Sequence, residues 1–322
     1  MFEALATPQS GLLAFAAACA LLMGFAIQRG STCMVAAVEE VVTTRRAGRA
    51  LALLEAALWV GGGIVLLELA GLPAGPAPRY AGGAAAIAGG ALLGIGAFVN
   101  RACAFGTVAR LGSGEWSYAA MPVGFFLGCR SAIGVLGPVA TGSAPMTRPG
   151  LATFLAIAIA VLALWRLIGC IRARRTLASH IWAPQRATIV IALAFLALML
   201  AAGAWTYSQW LVDLARRSSA MSGHRLVLFC ALLGGALLAG WSAGITLVPP
   251  TLRAIARSLV GGFTMGVGGQ LVPGGNDGLI LVGLPHLDRS AIVALAVMAA
   301  TIAAAFLVTG HRPKPGRRRG SG

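Results

Sequence analysis

Charge is scarce in these 322 residues: 11% are Asp, Glu, Lys or Arg, and only 9 are acidic. Soluble domains carry roughly a quarter charged residues. With 58% hydrophobic residues, a soluble fold would leave large apolar patches facing water. Histidine is scarce too, and His180, His224, His286 and His311 are scattered. No HExxH, GxSxG or P-loop is present, which argues against a zinc hydrolase, a serine hydrolase and a nucleotide-driven pump. Six cysteines (Cys19, Cys33, Cys103, Cys129, Cys170, Cys230) form no CxxC pair and no metal-ligand spacing. No disulfide framework, metal, cofactor or catalytic residue is expected, and the chain does not read as an enzyme. No basic residue precedes the first apolar block, so no cleavable signal peptide is expected.

What is present is long apolar blocks and 44 glycines. In lipid a spanning segment must satisfy its own backbone groups, so blocks of about 20 residues read as helices. Small residues let such helices pack closely. The expected fold is an all-α integral membrane protein of about nine spans, near 10–28, 50–70, 81–99, 116–139, 150–169, 187–205, 226–248, 258–272 and 290–309. Shorter apolar stretches at 31–42, 102–110, 249–257 and 275–284 follow polar or glycine-rich breaks. They read as re-entrant or half-membrane helices, which are tolerated where they line a cavity. Organisation is expected as a first transmembrane half (1–169), a basic connector (170–186, with Pro184), a second half (187–310) and a disordered basic tail (311–322).

The net charge of +16 is read as loop charge, not as a nucleic-acid surface. Arg45, Arg46 and Arg49, then Arg172, Arg174 and Arg175, then Arg253 and Arg257, and the tail all fall on one side of a nine-span chain. Cytoplasmic loops collect such residues, so the N-terminus is expected outside and the C-terminus in the cytoplasm, with the protein in the cell (inner) membrane. Arg216, Arg217 and Arg225 dissent, landing outside. Glu39 and Glu40 read as a solvated or Arg-paired face.

An internal repeat carries the sharpest signal. Gly24 precedes Cys33 by nine residues, Gly94 precedes Cys103 by nine, and Gly266 stands nine before Gly275. Arg29 and Arg101 lie inside the first two copies, and Gly106 and Gly278 follow the second and third. The physical reading is a helix, a glycine break, and a short helix whose start holds the cysteine. A helix start offers unpaired N–H groups and partial positive charge, a site for an anion. Copies meeting near the midplane would ring one pathway.

These residues resemble the YeeE/YedE family of sulfur-transport, thiosulfate-transporter-like membrane proteins. The resemblance rests on Gly24–Ala37 (GFAIQRGSTCMVAA), Leu93–Trp116 (LGIGAFVNRACAFGTVARLGSGEW) and Gly261–Gly278 (GGFTMGVGGQLVPGGNDG). It implies spanning and re-entrant helices arranged pseudo-symmetrically around a central path, and uptake of thiosulfate or a related sulfur anion. It places Cys33, Cys103 and Gly275 on that path, with Arg29, Arg101, Gly106, Asn276 and Asp277 in support. It also implies membrane lipid around the bundle and a TusA-like sulfur-carrier protein as partner. The third position departs from the family, which has cysteine where Gly275 stands. A different anion on the same scaffold, or a docking subunit for the carrier, is the alternative. Asp277 beside a dianion path either points away, caps a short helix or signals another solute, and capping is the preferred reading.

Overall fold

The computed structural model describes residues 6–72, 77–78, 82–136, 143–144, 157–162, 164–165, 168, 187–216, 223–272 and 274–310. Cys170, the connector 170–186, most of the segment 150–169, Arg217 and the tail from 311 lie outside the described residues.

Among the described residues the fold is helical apart from a two-residue antiparallel pairing of Ala77–Pro78 with Ser143–Ala144 and an isolated parallel bridge between Glu115 and Val248. Helices α1 (Ala6–Gly30) and α2 (Met34–Thr44) are followed by α3 (Gly48–Leu69), α4 (Ala84–Asn100) and α5 (Ala104–Gly112). A 3₁₀ turn at Trp116–Ala119 leads into α6 (Ala120–Leu136). Then come α7 (Ala187–Ala202), α8 (Tyr207–Ala215), α9 (Gly223–Trp241) and α10 (Leu252–Leu271). The four-residue α11 (Gly275–Gly278) runs into a π-helical turn at Leu279–Gly283, and α12 (Arg289–Thr309) ends the described chain.

Among the described residues, five segments are long and apolar enough to cross a membrane: Ser10–Thr44, Gly48–Leu69, Ala84–Gly112, Gly223–Trp241 and Arg289–Thr309. Helices α7 and α8, bent by 42° at their break, make a sixth when taken as one span. This is a multi-pass membrane protein, and its outer surface fits that reading, with Leu51, Leu69, Trp241 and Val308 widely exposed.

The short helices correct two expectations. Helix α2 extends α1 as one interrupted span, and α5 extends α4 likewise, so neither turns back as a re-entrant loop would. The stretch 249–257 is not a separate helix: Thr251 caps α10 through a bond from Ala254 N, and residues 252–257 are its first turns. A third short helix, α8, was not anticipated. It follows Gly203, which takes a left-handed φ of 77°. Glu40 braces the next helix, since its Oε2 accepts the backbone N–H of Arg49 at 2.8 Å, in the first turn of α3.

Glycine holds the bundle together through backbone contact. A Cβ at Gly24 would fall on the Leu232 carbonyl of α9, and one at Gly235 on the Leu21 carbonyl of α1. Helix α10 is clasped from both sides. Gly262 and Gly266 lie against the Met121 and Phe125 carbonyls of α6, and Gly96 and Gly261 face each other between α4 and α10. Helices before and after the connector therefore interleave: α1 packs on α7 and α9, and α4 on α10 and α12. This close approach replaces the hydrophobic effect, which offers no preference between a lipid tail and a leucine. The repeat glycines are thus packing contacts, not the breaks themselves: Gly94 meets Met298 of α12 in the same way.

Candidate functional site

The first two breaks share one geometry. Ser31 N–H donates to Gln28 O and Thr32 N–H to Ile27 O, at 3.1 and 3.2 Å. Arg101 N–H donates to Phe98 O and Ala102 N–H to Ala97 O, at 3.0 and 3.1 Å. Each is a Schellman turn that satisfies the last carbonyls of a helix. The left-handed residue is Ser31 (φ 47°) or Arg101 (φ 61°), not glycine, at a cost of roughly 1 kcal/mol. Cys33 and Cys103 follow in extended conformation and open α2 and α5. A buried network fixes the second break: Asn100 Nδ2 donates to Ala102 O (2.8 Å) and Thr107 Oγ1 (3.1 Å), and Ser258 Oγ donates to Asn100 Oδ1 (2.6 Å).

The starts of α2, α5 and α8 converge, and each is capped by a side chain from another break. Met34 N–H, first in α2, donates to Cys103 Sγ at 3.2 Å. Ala104 N–H, first in α5, donates to Asn276 Oδ1 at 3.0 Å. Ser208 N–H, in the first turn of α8, donates to Asp277 Oδ2 at 3.2 Å. These are orphan donors of helix starts, and a carboxylate there also meets the positive end of the helix dipole. Asp277 does cap a short helix, and the helix it caps from across the junction is α8.

The two thiols meet at this junction. Cys103 Sγ lies 3.8 Å from Cys33 Sγ. Cys103 is fully buried, whereas Cys33 is partly open and lines a small cavity with Thr32, Arg49 and Thr188. Gly106 permits the meeting, because a Cβ there would fall on Cys33 Sγ. Tyr207 OH donates to Ala104 O at 3.0 Å and ties α8 to the same point.

Of the sequence-predicted residues, Cys33, Cys103, Gly106, Asn276 and Asp277 belong to one junction. Gly275 joins it through Ser208. Arg29 and Arg101 do not: Arg29 Nη2 donates to Ser242 Oγ at 2.8 Å and its guanidinium lies over Phe25, while Arg101 is exposed. Tyr207, Ser208 and Asn100 were missed. The available signal was a Gly203 break followed by a nine-residue amphipathic stretch. Ala197 and Thr206 occupy the glycine and cysteine places of that unit, so a search for the glycine–cysteine step passes over it.

The third position is filled, not vacant. Gly275 has φ 53°, and a Cβ there would lie 2.6 Å from Ser208 Cβ and 2.8 Å from its Oγ. Gly275→Cys should therefore lower the folded yield by an overpacking penalty of about 1–3 kcal/mol. Adding Ser208→Gly should recover part of it. Thermal denaturation of detergent-solubilised protein reads both, and a fully stable single variant would contradict this packing.

A model of the family described as Sulphur transport matches residues 29–304. No curated protein matches the chain.

Proposed function

This chain belongs to the sulphur transport family, as its YeeE/YedE-like motifs anticipated, and we propose that it moves thiosulfate into the cell along a path through the Cys33–Cys103 junction. The observation that carries this reading is the meeting of two thiols, 3.8 Å apart, where the starts of α2, α5 and α8 converge. Helix starts favour an anion. Thiols are weak donors, and weak contacts at several stations let an ion move on. Cys33, Cys103 and the Ser208-filled Gly275 position are the stations. Gly106, Asn276 and Asp277 hold them in register. The four helix–break–short-helix units, α1–α2, α4–α5, α7–α8 and α10–α11, support a pseudo-symmetric arrangement around that path.

The membrane is the inner membrane, with the N-terminus outside and the basic loops in the cytoplasm. Arg216 and Arg225 are consistent with this side assignment despite their outward placement. Arg225 pairs with Asp213 at 2.9 Å and Arg216 turns inward to Gln270, so neither acts as free loop charge. A TusA-like carrier on the cytoplasmic face would receive the sulfur.

The test is flux into liposomes holding only the purified protein. Radiolabelled thiosulfate should accumulate at a rate at least tenfold above empty vesicles. Uptake that appears only when a soluble carrier is supplied would favour a docking role instead. Uptake of another anion but not of thiosulfate would move the solute assignment, as Ser208 in the third position would favour.

A further inference from the structure

Arg216 C-caps α8 and reaches back into the bundle, where its Nε donates to Gln270 Oε1 at 3.1 Å. Arginine carries only donors, so Gln270 must turn its oxygen toward it. That fixes the amide nitrogen Nε2 facing away as a second donor. Gln270 is fully buried, and both its Nε2 and Arg216 Nη2 are buried without a hydrogen-bond partner. Among the described residues no carboxylate pairs with Arg216. The pair therefore presents one cation and two orphaned N–H donors, with no hydrogen-bond acceptor on them among the described residues.

Such a group is costly inside a membrane protein. Burying an unpaired donor costs about 1–3 kcal/mol, more when it is charged. Native structures leave few of these, and each calls for a water, an ion or a function. The missing component here is an acceptor with negative charge. Guanidinium and amide N–H groups suit oxygen acceptors, and charge-assisted bonds to oxyanions are roughly twice as strong as neutral ones.

We propose that Arg216 and Gln270 form an oxyanion-binding station at the far end of α8 from the thiol junction. Its ligand is a small tetrahedral sulfur oxyanion, held through its oxygens. The two stations share their elements: α8 runs from Ser208, held by Asp277, to Arg216, and Gln270 lies six residues before Asn276. Thiosulfate has both chemistries, sulfonate oxygens for the Arg216–Gln270 donors and a terminal sulfur for the thiols. This division also accounts for a path that works without a third cysteine. Asp277 lies on α11, just beyond the break after α10, with Oδ2 committed to Ser208 N–H. The proposal rests on the transport reading for the identity of its ligand, but not for the existence of the site.

The experiment uses the full chain in detergent, with thermal denaturation in sodium thiosulfate, sodium sulfate and sodium chloride at matched ionic strength. Wild type should gain stability in thiosulfate and in sulfate over chloride. Gln270→Glu supplies the missing anion from within: it should be more stable than wild type without ligand and lose the anion-dependent shift. Gln270→Leu should lose the shift with no intrinsic gain. In liposomes, Gln270→Glu and Arg216→Gln should raise the half-saturating thiosulfate concentration at least tenfold. No shift in wild type, or an undiminished shift in both Gln270 variants, overturns the station. A shift that depends on Gln270 in a protein that does not take up thiosulfate keeps the station and removes the transport reading. Thiosulfate uptake with half-saturation unchanged in these variants does the reverse.

Discussion

Cys103→Ala is expected to abolish thiosulfate uptake, to below a tenth of the wild-type initial rate, and to do so more completely than Cys33→Ala. Cys103 Sγ holds two relationships at once. It accepts Met34 N–H at 3.2 Å and faces Cys33 Sγ at 3.8 Å. Alanine removes both, leaving a buried helix-start N–H without an acceptor at a cost of about 1–3 kcal/mol. The start of α2 should then shift, carrying Cys33 with it. Cys33→Ala removes one thiol and leaves the Met34 bond intact. Cys103→Ser separates cap from chemistry, because a hydroxyl still accepts from Met34 N–H but offers the solute an oxygen instead of a soft sulfur. The serine variant should fold near wild-type yield and still transport poorly. Initial rates in liposomes, normalised to reconstituted protein, check all three. Full activity of Cys103→Ser would show that the path needs the cap and not the thiol.

The second large effect is structural, and two neighbouring glycines test it. Gly235→Ala should prevent stable folding, whereas Gly234→Ala should be neutral or slightly stabilising. Both lie on α9. A Cβ at Gly235 would fall on the Leu21 carbonyl of α1, while one at Gly234 meets nothing within 4 Å. Overpacking usually costs about 1–3 kcal/mol when side chains can yield. Here the obstacle is backbone held in its own helix, so α1 and α9 must separate, and the Gly24 contact is lost with them. At Gly234 only helix propensity changes, which favours alanine over glycine by up to about 1 kcal/mol. Monodispersity and melting temperature after detergent extraction distinguish the pair, and equal behaviour of the two variants would contradict the packing.

Much of the architecture was legible because membrane helices are written locally. The apolar blocks at 10–28, 50–70, 81–99, 187–205 and 290–309 fall on α1, α3, α4, α7 and α12 within a few residues. The short helices after Cys33 and Cys103 were legible for the same reason. Their direction was not. A break reads alike in sequence whether the chain continues or returns, and Schellman turns carried by Ser31 and Arg101 let it continue. Asp277 was legible as a cap but not as the cap of α8, because Ser208 lies 69 residues away. Gly275 looked like a lost cysteine when read alone. Ser208, from an unrecognised helix, explains why no side chain fits there. Arg216 looked like stray loop charge until Gln270 appeared beside it. In each case the deciding partner lies in another part of the chain.

The linked caps have a consequence for how the protein is made. Ala104 and Ser208 both await acceptors that lie on residues 276 and 277. A ribosome delivers the starts of α5 and α8 to the membrane long before it reaches α11. Until then those N–H groups must be met by water or by the insertion machinery, so the early helices wait in an unfinished state. Completion arrives as one late event, when Asn276 and Asp277 of α11 close two helix starts together. A nascent chain halted before Asn276 should hold its helices through α10 and still remain open to proteolysis at 101–103 and 203–206.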